Sequence, residues 1–251
     1  MLRCNSATEH RMADTAYSFG ELSERFEDVS NRIEACAQQC NRSPKEITLV
    51  AVSKTHPVET LRRALSLGLK DFGENRVQEA ESKILELGRN AARWHLVGHL
   101  QENKARRAVK LFDIIHSLDS ASLARRLDRL CTENGREELP VLIQVDLAGE
   151  ETKAGVAEDA LPELLATVKE SERLRLVGLM VLPPFFEDAE CVRPFFRRLR
   201  ELRDDLHAKK HFGEASGELS MGMSHDFEVA IEEGATMLRI GTAIFGERHA
   251  L

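Results

Sequence analysis

The sequence has no apolar run long enough to cross a membrane, and residues 1–20 lack the apolar core of a signal peptide. Residues 1–20 are polar instead, which predicts a poorly ordered leader. Met12 is a second possible start within this leader. The sequence therefore predicts neither a membrane-spanning protein nor an exported one.

Cysteines are few and follow no recognisable pattern. The sequence has five, Cys4, Cys36, Cys40, Cys131 and Cys191. An odd number without zinc-type spacing argues against a disulfide framework and predicts a reducing, cytoplasmic compartment. His95 and His99 are four residues apart, but they span a predicted strand and its loop rather than one helix. No metal site is predicted.

Positive charge is too scattered for a nucleic-acid-binding protein. The net charge is -7, from 35 Lys and Arg against 42 Asp and Glu. The densest basic patch, residues 197–200, is followed at once by acidic side chains, as on a solvated helix face. We predict no nucleic-acid partner.

Short apolar runs alternate with amphipathic helical segments along the chain. The predicted strands are 47–54, 71–73, 94–98, 113–118, 140–147, 174–182, 218–220 and 236–240. One extra helix is predicted at 21–40, before the first strand. The helix that follows the fifth strand is predicted at 157–171. Eight such units in a chain of this length predict a closed (β/α)8 barrel, formed by a single domain at 21–251. The alternative, an open doubly wound sheet, would favour a Gly-rich turn after the first strand, where this sequence has SKTHP.

Lys54 follows the first predicted strand, at the end of a barrel where functional residues gather. Partial burial lowers the pKa of a lysine amine and makes it a nucleophile towards carbonyl groups. Alternatively, Lys54 is an ordinary lysine at a strand end. Asn75, after the second strand, could likewise contact a ligand or only cap the following helix.

The loops after the seventh and eighth strands resemble a phosphate-binding pair. The first runs from Ser220 through Met223 to Ser224, and the second contains Gly241 and Thr242. Barrels frequently bind phosphate at these two positions, through hydroxyl groups and backbone N–H groups. Both loops could also be plain connections. Asp226 and Glu228 would oppose an anion, so we expect them to face outward.

An imine-forming lysine opposite a phosphate site indicates pyridoxal 5'-phosphate, which carries one aldehyde and one phosphate. Arg239, two residues before Gly241, is then a candidate partner for the ring nitrogen. Arginine only donates hydrogen bonds, so it would leave that nitrogen unprotonated and weaken the ring as an electron sink. The alternative is that Arg239 pairs with a carboxylate at the barrel lip.

Six motifs then resemble one family, the pyridoxal phosphate homeostasis proteins. They are LVAVSKTHP, DFGENRVQE, WHLVGHLQENK, GLMVL, SMGMSHDFEVAI and MLRIGTAIFGER. The resemblance runs from about Leu22 to Arg248. It implies an alanine racemase-like barrel that binds pyridoxal 5'-phosphate.

The resemblance also implies a role for each matching residue. Lys54 would carry the cofactor as a Schiff base, Arg239 would meet the pyridine nitrogen, and Asn75 would lie near the ring. The phosphate would be held by Ser220, Met223, Ser224, Gly241 and Thr242. His56, Arg76 and Glu102 depart from the family pattern, but none is among these residues.

The same residues leave the activity open between two classes. A racemase of this fold needs a second base besides the lysine. In alanine racemases a tyrosine from another domain supplies it, whereas the only tyrosine here is Tyr17 in the leader. We therefore predict a non-catalytic, monomeric carrier that buffers pyridoxal phosphate or delivers it to apo-enzymes. The alternatives are a weak or specialised amino-acid racemase and a barrel that binds another phosphorylated metabolite without an imine.

Overall fold

A computed structural model describes residues 19–149 and 154–247. The helices are α1 Phe19–Gln39, α2 Val58–Ser66, α3 Val77–Leu87, α4 Ala105–Leu111, α5 Ala121–Glu133, α6 Leu161–Glu170, α7 Arg193–Ala208, α8 Phe227–Glu232 and α9 Thr242–Phe245. The strands are β1 Thr48–Val52, β2 Asp71–Glu74, β3 Arg93–Leu96, β4 Ile114–Leu118, β5 Leu139–Asp146, β6 Val156–Ala157, β7 Leu174–Val181, β8 Glu218–Ser220 and β9 Met237–Ile240.

Eight of these strands form a closed parallel barrel. Each pairs in parallel with its neighbours in the order β1-β2-β3-β4-β5-β7-β8-β9, and β9 pairs back onto β1. The predicted (β/α)8 barrel is therefore confirmed. The two-residue strand β6 pairs with the end of β5 outside the ring. The helix predicted at 157–171 accordingly begins later, at Leu161.

Alternate residues of each strand face the barrel interior. Two small interior clusters form from these positions, one of Val50, Val52 and Val97, and one centred on Ile114, Leu142, Met180 and Met237. The opposite faces of the strands pack with the helices in one large outer core. The interior is thus a packed apolar space, in which each polar side chain needs a partner.

Helix α1, predicted at 21–40, is the first helix of the domain and contacts its last two helices. It packs against α8 and α9, and so occupies the outer layer where α9 is only four residues long. Just beyond α1, Arg42 donates to the Ile231 carbonyl at 2.8 Å and to the Ala235 carbonyl at 2.7 Å. The predicted leader lies outside the described residues as far as residue 18.

None of the helices within residues 19–149 and 154–247 is long and apolar enough to cross a membrane. The four cysteines in those ranges, Cys36, Cys40, Cys131 and Cys191, are free thiols.

The Arg42 contact should be a main link between the segment after α1 and the end of α8. Arg42→Met keeps the packing of the stem but removes the guanidinium donor from both carbonyl groups. The Ile231 carbonyl still accepts from the Gly234 N–H at 3.0 Å, so the free energy of unfolding should fall by about 1–3 kcal/mol. Arg62→Met is the matched control: Arg62 is about half exposed and its carboxylate partners lie at 3.4 and 3.9 Å. That change should cost less than about 1 kcal/mol. Equal losses in urea unfolding would contradict this role for Arg42.

Candidate functional site

Lys54 lies two residues beyond Val52, at the carboxyl end of β1, and is partly buried. The turn that carries it is tightly constrained. Thr55 has a φ of 69°, in the left-handed region that β-branched residues rarely adopt. The Thr55 hydroxyl donates to the Lys54 carbonyl at 2.6 Å, and the Thr55 N–H donates to Glu79. A strained residue beside a strand-end lysine is typical of a functional site.

A buried charge cluster lies directly behind this turn. The Lys83 ammonium donates to the Ser53 carbonyl, to Glu74 Oε1 and to Glu79 Oε1, each at 2.7 Å. The Ser53 hydroxyl donates to the same Glu74 oxygen at 2.6 Å. Lys83 comes from α3, Glu74 ends β2, and Ser53 precedes Lys54, so the cluster joins three elements at the base of the lysine turn.

The two carboxyl groups of this cluster differ electrostatically. Burial raises the pKa of Glu74, although Lys83 opposes the shift. Burial also acts to raise the pKa of Glu79, but hydrogen bonds from Lys83 and the Thr55 N–H outweigh it and lower that pKa. Asn75 was a predicted site residue, but the cluster beside it, with Glu74, was not predicted. Its partner, Lys83, is nine residues further on and gives no signal as a lone lysine on a helix.

Ser224, Gly241 and Thr242 come together, as predicted for a phosphate site. The Ser224 hydroxyl oxygen accepts from the Gly241 N–H at 3.3 Å and from the Ala243 N–H at 3.1 Å. It thereby links the loop after β8 to the start of α9. A Cβ atom on Gly241 would lie 3.2 Å from the Val52 carbonyl, so this backbone passes close to the end of β1.

Ser220 takes a different position from Ser224. Its hydroxyl is fully buried in the barrel, where it accepts from Arg239 Nη1 at 2.7 Å and bonds to His116 Nδ1 at 2.8 Å. Arg239 is 4% exposed and also donates from Nη2 to the Val181 carbonyl at 2.8 Å. Burial lowers the pKa of Arg239, which stays a cation at neutral pH. The residues predicted to bind phosphate therefore lie in two places. Ser224 and Gly241 meet at the start of α9, whereas Ser220 lies with Arg239 inside the barrel.

The expectation that Asp226 faces outward is wrong. Its side chain is buried, and Oδ1 accepts from the Met223 N–H at 2.6 Å. Burial raises the pKa of Asp226, and Arg239 provides an opposing positive charge. Asp226 lies just before α8 and closes a local turn, so helical periodicity did not apply to it. The Met223 N–H is engaged by this carboxyl group. Glu228 turns towards α1 and pairs with Arg32 at 2.5 Å.

Asn75 is partly buried at the end of β2 and does not cap α3, whose N-cap residue is Arg76. Its backbone passes so close to Gly98 that a Cβ atom on residue 98 would overlap the Asn75 carbonyl oxygen. The Gly98 carbonyl in turn accepts from the Ser117 hydroxyl at 2.7 Å. Only glycine allows this approach, which fixes Asn75 at the mouth that also contains Lys54.

His95 and His99 have separate surroundings. His95 is inside the barrel, whereas His99 lies beyond β3 and bonds through Nδ1 to Asp119 at 3.0 Å. Across the described parts of the chain, no three His, Cys, Asp or Glu side chains are grouped so that they could hold a metal ion.

A cavity of about 540 Å³ opens at the other end of the barrel, where the strands begin. Several cationic side chains line it, but three of them already have acidic partners. Arg175 pairs with Glu138 at 2.7 Å and Arg93 with Asp71 at 3.8 Å. Lys210 pairs with Glu214 at 3.7 Å. The lysine and the Ser224–Gly241 contact instead lie at the carboxyl ends of the strands, where barrel proteins place their chemistry.

The fold and this mouth define a barrel of the alanine racemase N-terminal class, and residues 27–249 match the family described as alanine racemase, N-terminal domain. The alanine racemase of Corynebacterium glutamicum shares the fold at a TM-score of 0.66 and 16% identity, over 93% of this chain and 64% of that one.

Closer relatives narrow the class to one family. The chain is 45% identical to the pyridoxal phosphate homeostasis protein of Aquifex aeolicus over 90% of this chain and 97% of that protein. The protein of the same name from Escherichia coli strain K12 is 42% identical over 91% and 97%. The chain belongs to the pyridoxal phosphate homeostasis protein family. PipY of Synechococcus elongatus PCC7942, solved with PLP bound, has a TM-score of 0.79 at 38% identity, over 90% of this chain and 100% of PipY.

The buried cluster behind Lys54 yields an asymmetric prediction. Lys83→Met leaves the Glu74 carboxyl group buried without its cation, so the free energy of unfolding should fall by about 3–5 kcal/mol. Adding Glu74→Gln to that variant removes the stranded charge and should restore most of the loss. Lys110→Met, at an exposed position on α4, is the control for losing a lysine.

Urea unfolding of the single and double variants measures the coupling between the two sites. A double variant as unstable as Lys83→Met alone would contradict the role of Lys83 as the counter-ion of Glu74.

Proposed function

We propose that this chain binds pyridoxal 5'-phosphate at the carboxyl end of its barrel as a Schiff base on Lys54, and that it buffers or delivers the cofactor. The observation that carries the proposal is that the strands leading to Lys54 and to Gly241 end side by side. Ala51 of β1 pairs with Ile240 of β9, so the residues that follow both strands share one mouth. PipY, solved with PLP bound, supports the same ligand.

The residues around Gly241 suit a phosphate group. The Ser224 oxygen accepts two backbone N–H bonds, which leaves its own proton available to an anion. Thr242 adds an exposed hydroxyl, and Gly241 lets the backbone come close. Asp226, the nearest acidic residue along the chain, has one oxygen committed to the Met223 N–H. The hydroxyl groups of Ser224 and Thr242 and the backbone at Gly241 would hold the phosphate. Ser220 would instead support Arg239.

The position of Arg239 supports a role in binding the cofactor rather than a role in catalysis. Pyridoxal 5'-phosphate supplies an aldehyde for the lysine and a ring that stabilises carbanions most strongly when its nitrogen is protonated. A guanidinium can only donate to that nitrogen, so Arg239 would keep it unprotonated.

Two of the four thiols in the described residues, Cys36 and Cys131, are poor candidates for a second base. Burial raises the pKa of both Cys36 and Cys131 to about 11, so they are protonated at neutral pH. They lie on α1 and α5 in the outer layer. Tyr17, the single tyrosine, is outside the described residues.

A weak racemase is the second candidate, and one contact favours it. His99 and Asp119 bond at 3.0 Å beyond β3 and β4, at the same end of the barrel as Lys54. A histidine oriented by a carboxylate is the arrangement of a general base.

The carrier role adds three expectations: apo-enzymes as partners, a monomeric state and a cytoplasmic location. We also propose that 21–251 folds as one domain.

Reduction of the purified protein by borohydride tests the assignment of Lys54. The wild-type protein should show an imine absorption band that borohydride removes, and peptide mass spectrometry should find the reduced adduct on Lys54. Lys54→Ala should lack both, whereas Lys70→Ala, at an exposed position before β2, should keep both. An adduct on another lysine, or binding without an imine band, would overturn the assignment.

The absence of turnover is tested separately with the cofactor-loaded protein. Incubation with D- and L-amino acids should give no racemisation above a Lys54→Ala control, while an added apo-enzyme should regain activity by taking up the cofactor. Robust racemisation that disappears in both Lys54→Ala and His99→Asn would establish the racemase instead.

A further inference from the structure

A continuous chain of polar side chains crosses the apolar interior of the barrel. From Arg239 Nη1 it runs to the Ser220 hydroxyl at 2.7 Å and from there to His116 Nδ1 at 2.8 Å. His116 Nε2 then meets His95 Nδ1 at 2.9 Å, and His95 Nε2 meets Asp71 Oδ1 at 2.9 Å. Strands β9, β8, β4, β3 and β2 each contribute one member.

The two ends of the chain determine the direction of every bond in it. A guanidinium only donates and a carboxylate only accepts. Asp71 therefore accepts from His95 Nε2–H, and a neutral His95 accepts at Nδ1 from His116 Nε2–H. His116 then accepts at Nδ1 from the Ser220 hydroxyl. The Ser220 oxygen is left to accept from Arg239, so each group has one defined role.

An additional proton does not fit this pattern. A protonated histidine donates from both nitrogens, so protonating either ring would force His116 to donate to Ser220. Ser220 would then lose the acceptor for its own proton. Burial lowers the pKa of both His95 and His116, in keeping with two neutral rings. Both histidines should therefore hold the Nε2–H tautomer.

We propose that Asp71, His95 and His116 are positioning residues for Arg239, acting through the orientation of the Ser220 hydroxyl. With its proton committed to His116, Ser220 presents a lone pair to the guanidinium. The Val181 carbonyl fixes the other terminal nitrogen. The guanidinium is thus held by two acceptors, and the carboxyl group that sets the order is on the first residue of β2. The link to cofactor binding rests on the proposed function of Arg239.

Asp71→Asn tests this relay because it keeps the size of the side chain while removing the fixed acceptor. An amide can accept or donate, so the direction of the chain is no longer determined. In the protein without cofactor, long-range nitrogen NMR should show both buried histidines as Nε2–H in the wild type and as mixed tautomers in Asp71→Asn. The affinity for pyridoxal 5'-phosphate should fall about two- to tenfold, as expected for one weakened hydrogen bond.

Glu138→Gln is the matched control. Glu138 pairs with Arg175 near the start of β5, at the same end of the barrel as Asp71, and is about half exposed. It should change neither the tautomers nor the affinity. Ser220→Ala provides a second variant if Asp71→Asn folds poorly, and it should free the tautomer of His116 and lower the affinity at least as much.

The outcomes separate this inference from the proposed function. Unchanged tautomers and unchanged affinity in both Asp71→Asn and Ser220→Ala would overturn the relay. So would a wild-type protein in which either histidine carries its proton on Nδ1. A wild type with the expected tautomers that fails to bind the cofactor would instead contradict the proposed function and leave the relay supported as a property of the fold.

Discussion

Arg239 carries a positive charge into a barrel interior whose apolar lining includes Val50, Val52 and Met237, and its side chain is 4% exposed. An isolated charge in such a place would cost many kcal/mol. The protein offsets that cost with acceptors that cannot move away. The Val181 carbonyl belongs to a strand, and the Ser220 hydroxyl is oriented from behind. The polar interior is therefore arranged outward from this one cation.

Lys54 depends on a second set of charges on the other face of the same sheet. Glu74 and Lys83 lie between the barrel and α3. Lys83 donates to the Ser53 carbonyl and Glu74 accepts from the Ser53 hydroxyl, just before the lysine turn. Because this pair is buried, removing one partner is far more costly than removing both. The turn can therefore hold Thr55 in a left-handed conformation, with the surrounding contacts offsetting the local strain. Separate buried polar groups thus support Lys54 and Arg239, the two residues to which the proposed function assigns the aldehyde and the ring nitrogen.

The sequence predicted the elements well but not the polar contacts between them. Short runs alternating with amphipathic helical segments located all eight barrel strands, and 218–220 was placed to the residue. The bond between His116 and Ser220 joins residues 104 apart across the barrel. No periodicity reports such a contact, since each residue alone is an ordinary polar position in a strand. Asp226 was misplaced for a related reason, because it serves a local turn. The two-residue strand β6 likewise lies where a helix was expected to begin.

The stability of the barrel and its proposed role place the same demand on Arg239. A buried guanidinium is tolerated only while its neighbours accept hydrogen bonds, which means that those neighbours must stay neutral or negative. Neutral histidines and an ordered serine meet that condition. A cation held in this way is a permanent donor towards whatever enters the mouth. Replacing it with a carboxylate would activate a pyridine ring but would also place that carboxylate against the Val181 carbonyl and the Ser220 lone pair. The interior that stabilises this barrel therefore suits the proposed role of holding pyridoxal 5'-phosphate and disfavours a carboxylate in the place of Arg239.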